Sequence, residues 1–314
     1  MINATVLAPY APTPSLPRGV CFPIIVPIIS TKGGEGKSTQ AGNIAGFLAD
    51  AGLKTLLIDG DHSQPTASSM YALDYEAPCG FYELLTQSVS LEDPDNIISR
   101  TFIPNLHLIV SNDPNDRLTL TMLQAPDGRL RLRNQLKHAS FSHYDVIIID
   151  SKGCVSVMLE LILLAASQFA IGVIKPIMPD TREFLRGTVG VMASLLPLEA
   201  YGIKLPEVCI LINCMDNTSL DRQTLDSLTH ILNSRQYSHA DQLNLSLLKT
   251  KIPLLEIFEA GHACGQPVHR LEHSTPRKIS LSAAETMHAL TCEMFPHWTV
   301  EFTRLLVSLK AGKQ

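Results

Sequence analysis

Residues 24 to 39 pass from an apolar run, Ile24-Ile25-Val26-Pro27-Ile28-Ile29, through a glycine-dense turn, Thr31-Lys32-Gly33-Gly34-Glu35-Gly36, into Lys37-Ser38-Thr39 and a helical pattern over 38–51. The run has the length of a buried strand, and Gly52 suits the end of the helix. Few folds use a strand, a glycine-rich turn and a helix in that order. Closely spaced glycines let backbone N–H groups turn toward one anion, and the following helix adds its positive end. Gly36-Lys37-Ser38 fits the phosphate-binding pattern G-x-x-x-x-G-K-[ST], with Thr31 in place of the leading glycine. The lysine of such a loop reaches β- and γ-phosphates, and the Ser38 hydroxyl is placed to ligate Mg²⁺.

Further apolar runs lie at 54–59, 106–110, 144–150, 170–174, 208–212 and 248–252. Helical patterns separate them, for example at 181–196 and 220–234. Continuous rather than alternating hydrophobicity means strands buried on both faces. The expected fold class is α/β: a mostly parallel, doubly wound sheet with helices on both faces. Pro27 has no N–H to donate and is a local departure within the first strand. Residues 1–22 carry four prolines and read as a flexible leader. Residues 23–297 read as one α/β domain, and 298–314 as an amphipathic helix and tail.

The 314 residues carry 25 Lys+Arg against 30 Asp+Glu, a net charge of −5, which excludes a globally basic nucleic-acid binder but not a basic face. Seven scattered cysteines form no CxxC pair, which argues for thiols in a reducing cytoplasm rather than disulfides or a zinc ribbon. No apolar stretch has the length of a membrane span.

Lys32 precedes Lys37 by five positions, and from Lys32 to Thr39 the chain matches KGGxGK[ST][ST] throughout. In this it resembles the ParA/MinD family of deviant Walker P-loop ATPases. The resemblance implies a P-loop NTPase fold with ATP and Mg²⁺ as cofactors. It implies nucleotide binding by Lys32, Gly33, Gly34, Glu35, Gly36, Lys37, Ser38 and Thr39. Lys32 would reach the phosphates of a second subunit in an ATP-bound homodimer, much as an arginine finger does.

Carboxylates follow the strands at Asp59-Gly60-Asp61 and at Asp150. By the family pattern, Asp61 positions the attacking water, Asp59 supports the metal shell, and Asp150 is the Walker B residue that binds Mg²⁺ through water. With Lys32 and Lys37, Asp61 completes the expected catalytic set; with Ser38, Asp59 and Asp150 form the expected metal set. Two departures stand out. His62-Ser63-Gln64 replaces the usual proline-glutamine, and Ser151-Lys152-Gly153 replaces the usual threonine-proline-proline. The roles of His62 and Lys152, and whether Lys152 points in or out, stay open. Asn213 ends a strand where related ATPases read adenine; a turn-forming asparagine is the plainer alternative.

The similarity runs over about 24–295, through Lys175-Pro176, Ile252-Pro253 and Gly265-Gln266-Pro267-Val268. Its order and spacing favour the ParA branch: slow ATP hydrolysis, an ATP-dependent homodimer on nonspecific double-stranded DNA, a ParB-like partner and a cytoplasmic, nucleoid-associated location. Lys249, Lys251, Arg270, Arg277 and Lys278 are the candidate DNA face, with a solvated surface as the alternative for each. The rival readings are a MinD-like membrane-positioning ATPase and a conjugation accessory ATPase. For the first, the stripe Trp298, Phe302, Leu305, Leu306 and Leu309 would lie in a membrane interface, although such stripes more often pack on their own domain.

Overall fold

The computed structural model describes residues 23–113, 115, 117–272 and 281–312; the leader, Arg277 and Lys278 lie outside them. Among the described residues, nine strands alternate with helices for most of the chain. In chain order they are β1 (Ile24–Ile29), α1 (Lys37–Asp50), β2 (Thr55–Asp59), β3 (Leu73–Tyr75), α2 (Phe81–Thr86), β4 (Ser99–Thr101), β5 (Leu106–Ile109), α3 (Leu118–Gln124), α4 (Gly128–Gln135) and β6 (Val146–Asp150). Then follow α5 (Val157–Ala165), β7 (Phe169–Ile174), α6 (Met178–Leu195), β8 (Glu207–Ile212), α7 (Ser219–Asn233), β9 (Leu245–Leu247), α8 (Ile257–Cys264), α9 (Val268–Leu271), α10 (Ala283–Met294) and α11 (Thr299–Ala311).

One sheet runs β3-β4-β5-β2-β6-β1-β7-β8-β9. Pairing is parallel from β5 through β9, while β3–β4 and β4–β5 are antiparallel. The continuous apolar runs follow from this arrangement. Along β6, Val146 and Ile148 pack with α1 residues on one face, while Ile147 and Ile149 pack with α4 and α5 residues on the other. Both faces are dry, so neither residue set can be polar. The short antiparallel strands β3 and β4 lacked a run long enough to read from sequence. The run at 248–252 is not a strand: β9 ends at Leu247, and beyond it Leu248 and Ile252 donate single bonds to Ile210 and Ile212.

Pro27 fits its central strand because of alternation. Ile25 exchanges bonds with Ser167 on the β7 side, so the N–H that Pro27 lacks would point the same way. The β1–β7 register begins only at Ile28, after that position. The C-terminal stripe is also accounted for. Phe302 and Leu305 of α11 are buried, and Phe302 lies 5.9 Å from Phe47 of α1, centroid to centroid. The apolar face of α11 covers the domain core.

The β1–α1–β2 connection passes one way along the sheet, and β6–α5–β7 passes the other way across β1. That reversal opens a crevice at the carboxyl end of β1, where open α/β sheets place their ligands.

Candidate nucleotide site

The glycine-rich turn lies in that crevice. Gly34 and Gly36 have φ of +78° and +87°, a region costly for any side chain, which is why the turn is written in glycine. Gly36 also leaves room for the Asn213 amide, which packs where a Cβ would stand. Lys37 opens α1 and is buried, and its ammonium donates to the Lys32 carbonyl at 3.4 Å, so it folds back over the loop. Ser38 and Thr39 occupy the first turn of α1. Lys32, Gly33 and Gly34 are exposed on the outer side.

Two residues expected at the nucleotide do something other than face the crevice. The Glu35 carboxylate is buried and accepts the Lys175 N–H at 2.7 Å, and burial pushes its pKa up. Its side chain anchors the loop to the end of β7. Asn213 has both ends of its amide engaged: Nδ2 donates to the Glu35 carbonyl at 2.7 Å, and Oδ1 accepts from Gln40 Nε2 at 3.1 Å. It braces the loop from β8, so reading adenine would require those bonds to open. Gln40, buried one turn into α1, is the partner that sequence patterning missed; its position on the helix face toward β8 is the signal that was available.

The expected carboxylates come together. Asp59 and Asp150 are register partners at the ends of adjacent parallel strands, and both are fully buried. Asp59 accepts the Asp61 N–H at 3.0 Å and both the N–H and hydroxyl of Ser68 at 2.7 Å. Asp150 has no hydrogen-bonding partner on either oxygen among the described residues. Burial raises both pKa values, most for Asp150; the neighbouring Asp59 pushes Asp150 further up, and the nearby Ser38 hydroxyl and Lys37 ammonium pull it back. A buried, orphaned carboxylate implies an absent partner. Asp150 and the Ser38 hydroxyl, with Asp59 beside them, are oxygen donors that would suit a hard divalent cation such as Mg²⁺.

Asp61 sits at the rim. Its Oδ1 accepts the N–H groups of Ser63 and Gln64 at 3.1 Å each, so it caps the next turn. His62 Nε2 meets the Thr119 hydroxyl at 3.2 Å, tying this turn to α3. Lys152 points toward the same turn and donates to Ser63 Oγ. The next residue, Gly153, presses on the loop: a Cβ there would lie 2.6 Å from the Lys32 carbonyl oxygen and 2.8 Å from Lys37 Nζ. Lys32 is paired with Asp180, in the first turn of α6, and that hydrogen bond raises its pKa. Asp180 was not assigned a role from sequence, because nothing local ties it to a loop 148 residues away.

Among the DNA-face candidates, Arg270 is committed within the fold. It forms a fork on Asp50, with Nε to Oδ2 at 2.6 Å and Nη2 to Oδ1 at 2.5 Å. Lys249 is exposed and Lys251 half-buried on the loop after β9, which the Glu293 carboxylate holds through the Lys249 and Thr250 N–H groups.

Comparison with known proteins gives this arrangement a family. Residues 24–179 match the model of an AAA domain family. The chromosome-partitioning ATPase Soj of Thermus thermophilus is 29% identical over 203 residues, covering 64% of this chain and 74% of that protein. The chain is similar in sequence and fold to the ParA/MinD P-loop ATPases. Other relatives match over less of their length: the cell division protein PomZ of Myxococcus xanthus is 28% identical over 205 residues, 64% of this chain and 61% of that protein. The chain spans from about a fifth to three fifths of the length of several curated relatives. The septum site-determining protein MinD of Pyrococcus horikoshii, solved with Mg-ADP, shares the fold with a TM-score of 0.62 at 20% identity, over 88% of this chain and 98% of that one. Among the described residues, no helix is long and apolar enough to cross a membrane.

Proposed function

We propose that this ATPase is a ParA-type switch, in which bound ATP times the attachment of a dimer to DNA. The supporting observation is the asymmetry of the two loop lysines: Lys37 is buried over the crevice, while Lys32 is exposed on its outer rim. The inner lysine, the loop N–H groups and the start of α1 bind the phosphates of the protein's own nucleotide. The outer lysine serves the nucleotide of a second copy, closing two chains face to face. Mg²⁺, held through Ser38, Asp59 and Asp150, neutralises phosphate charge when bound. Asp61 aligns the attacking water once the turn it caps rearranges, and hydrolysis is slow until a DNA-bound, ParB-like protein accelerates it. The dimer binds nonspecific double-stranded DNA by phosphate contacts, with Lys249 and Lys251 as the described candidates. The output is segregation or maintenance of a DNA element at the nucleoid. The burial of Phe302 and Leu305 of α11 in the domain core supports this reading over a membrane-positioning role.

Light scattering on the full chain with Mg-AMP-PNP, Mg-ADP or neither tests this. The triphosphate analogue alone should give a dimer, and that dimer should shift random duplex DNA in a salt-sensitive manner. A chain that stays monomeric at saturating AMP-PNP refutes the proposal. A Lys32→Ala variant that still dimerises removes the contact in trans.

A further inference from the structure

Lys152 stands where the family pattern has no lysine, and its surroundings define a task for it. Asp150, two residues earlier, belongs to the carboxylate pair at the strand ends. Gly153, one residue later, is packed against the Lys32 carbonyl and the Lys37 ammonium, closer than any side chain would allow. Lys152 is therefore pinned between the carboxylates and the phosphate loop.

Its ammonium has one partner, the neutral hydroxyl of Ser63, and no carboxylate within ion-pair distance among the described residues. Several cations elsewhere are held by carboxylates. Lys32 has Asp180, Arg129 has Glu160, Arg131 has Asp127, Arg270 has Asp50 and Lys310 has Glu285. The Lys37 ammonium packs against Gly153, the residue after Lys152, so two lysines border the same part of the crevice. Coulomb's law favours an anion there. Ser63 also has a second bond: its N–H donates to the Asp61 carboxylate at 3.1 Å. One residue therefore holds both Lys152 and Asp61.

We propose that Lys152 is a positioning residue that senses the terminal phosphate of ATP, leaving the Ser63 hydroxyl for that phosphate and thereby loosening the turn that Asp61 caps. This rests on the phosphate-loop reading of the site. ADP lacks the terminal phosphate and leaves Lys152 on Ser63. The exchange couples recognition of the triphosphate to the carboxylate that aligns water, so a hydrolytic arrangement forms only around ATP.

Isothermal titration of the full chain with Mg-AMP-PNP and Mg-ADP tests the assignment. Lys152→Met keeps the length of the side chain and removes the charge. It should weaken AMP-PNP binding about tenfold or more, the scale of one charge-assisted hydrogen bond, while ADP binding changes less than about twofold. Lys152→Arg should restore most of the preference, and Ser63→Ala should not weaken AMP-PNP binding. An unchanged ratio of the two affinities in Lys152→Met, whether both hold or both fall together, overturns the proposal, as does a Ser63→Ala variant that mimics Lys152→Met. If the wild-type chain binds neither nucleotide, the phosphate-loop reading itself fails, which is a distinct result.

Discussion

Asp50 ends the helix that begins with Lys37, and its removal tests how that helix is held. The carboxylate accepts His269 Nε2 at 2.8 Å and the Arg270 fork at 2.5–2.6 Å, joining α1 to α9. Burial alone would raise its pKa, but the hydrogen bonds from Arg270 and His269 outweigh burial and hold it at about 2, against 3.8 for a free aspartate. A group depressed on folding stabilises the native state at every pH above its unfolded value, and that contribution disappears as pH falls through the folded value. The difference is worth about 2.5 kcal/mol at neutral pH, at roughly 1.4 kcal/mol per unit. Asp50→Asn keeps the volume and leaves Arg270 facing a neutral amide, so the cost should be about 2–4 kcal/mol. Urea denaturation at pH 7 should show a lower midpoint at unchanged slope. The gap to wild type should stay constant down to about pH 5, then narrow as pH falls toward about 2. The double variant with Arg270→Met should cost less than the sum of the single changes. A gap that is absent at pH 7, or that does not respond to acid, refutes the account and frees Arg270 for a role at the DNA face.

Lys37→Ala should abolish measurable ATP binding by titration, and unchanged affinity would remove the phosphate assignment. Asp61→Ala should bind Mg-AMP-PNP normally but lose turnover and accumulate dimer in ATP; retained phosphate release in a turnover assay would reject its role with water. Asp180→Asn removes the charge that holds Lys32 in its own chain, so ATP-dependent dimerisation should occur at lower protein concentration by light scattering. A dimer weakened by that change would mean that Asp180 orients Lys32 toward the partner rather than restraining it.

The strands β1, β2, β5, β6, β7 and β8 and the helices α1, α6 and α7 are legible in the sequence to within a few residues, because a strand buried on both faces admits only apolar side chains. The phosphate loop is legible because positive φ at Gly34 and Gly36, and the room Gly36 leaves for Asn213, allow little but glycine. Asp59 and Asp150 are legible together, since parallel pairing puts the ends of adjacent strands side by side. What escapes reading is the pairing of polar side chains across the chain. Arg270 looks like a free cation until Asp50, 220 residues earlier, is seen beneath it, and Lys32 shows no partner within its own chain until Asp180 is placed on α6. Each side chain satisfies its own local propensity alone, so nothing in its neighbours encodes the partner. Such contacts arise only after the sheet order has brought the elements together. The consequence is functional. In this chain the local pattern specifies where the phosphates go, whereas the long-range ion pairs decide which lysines are free to meet them.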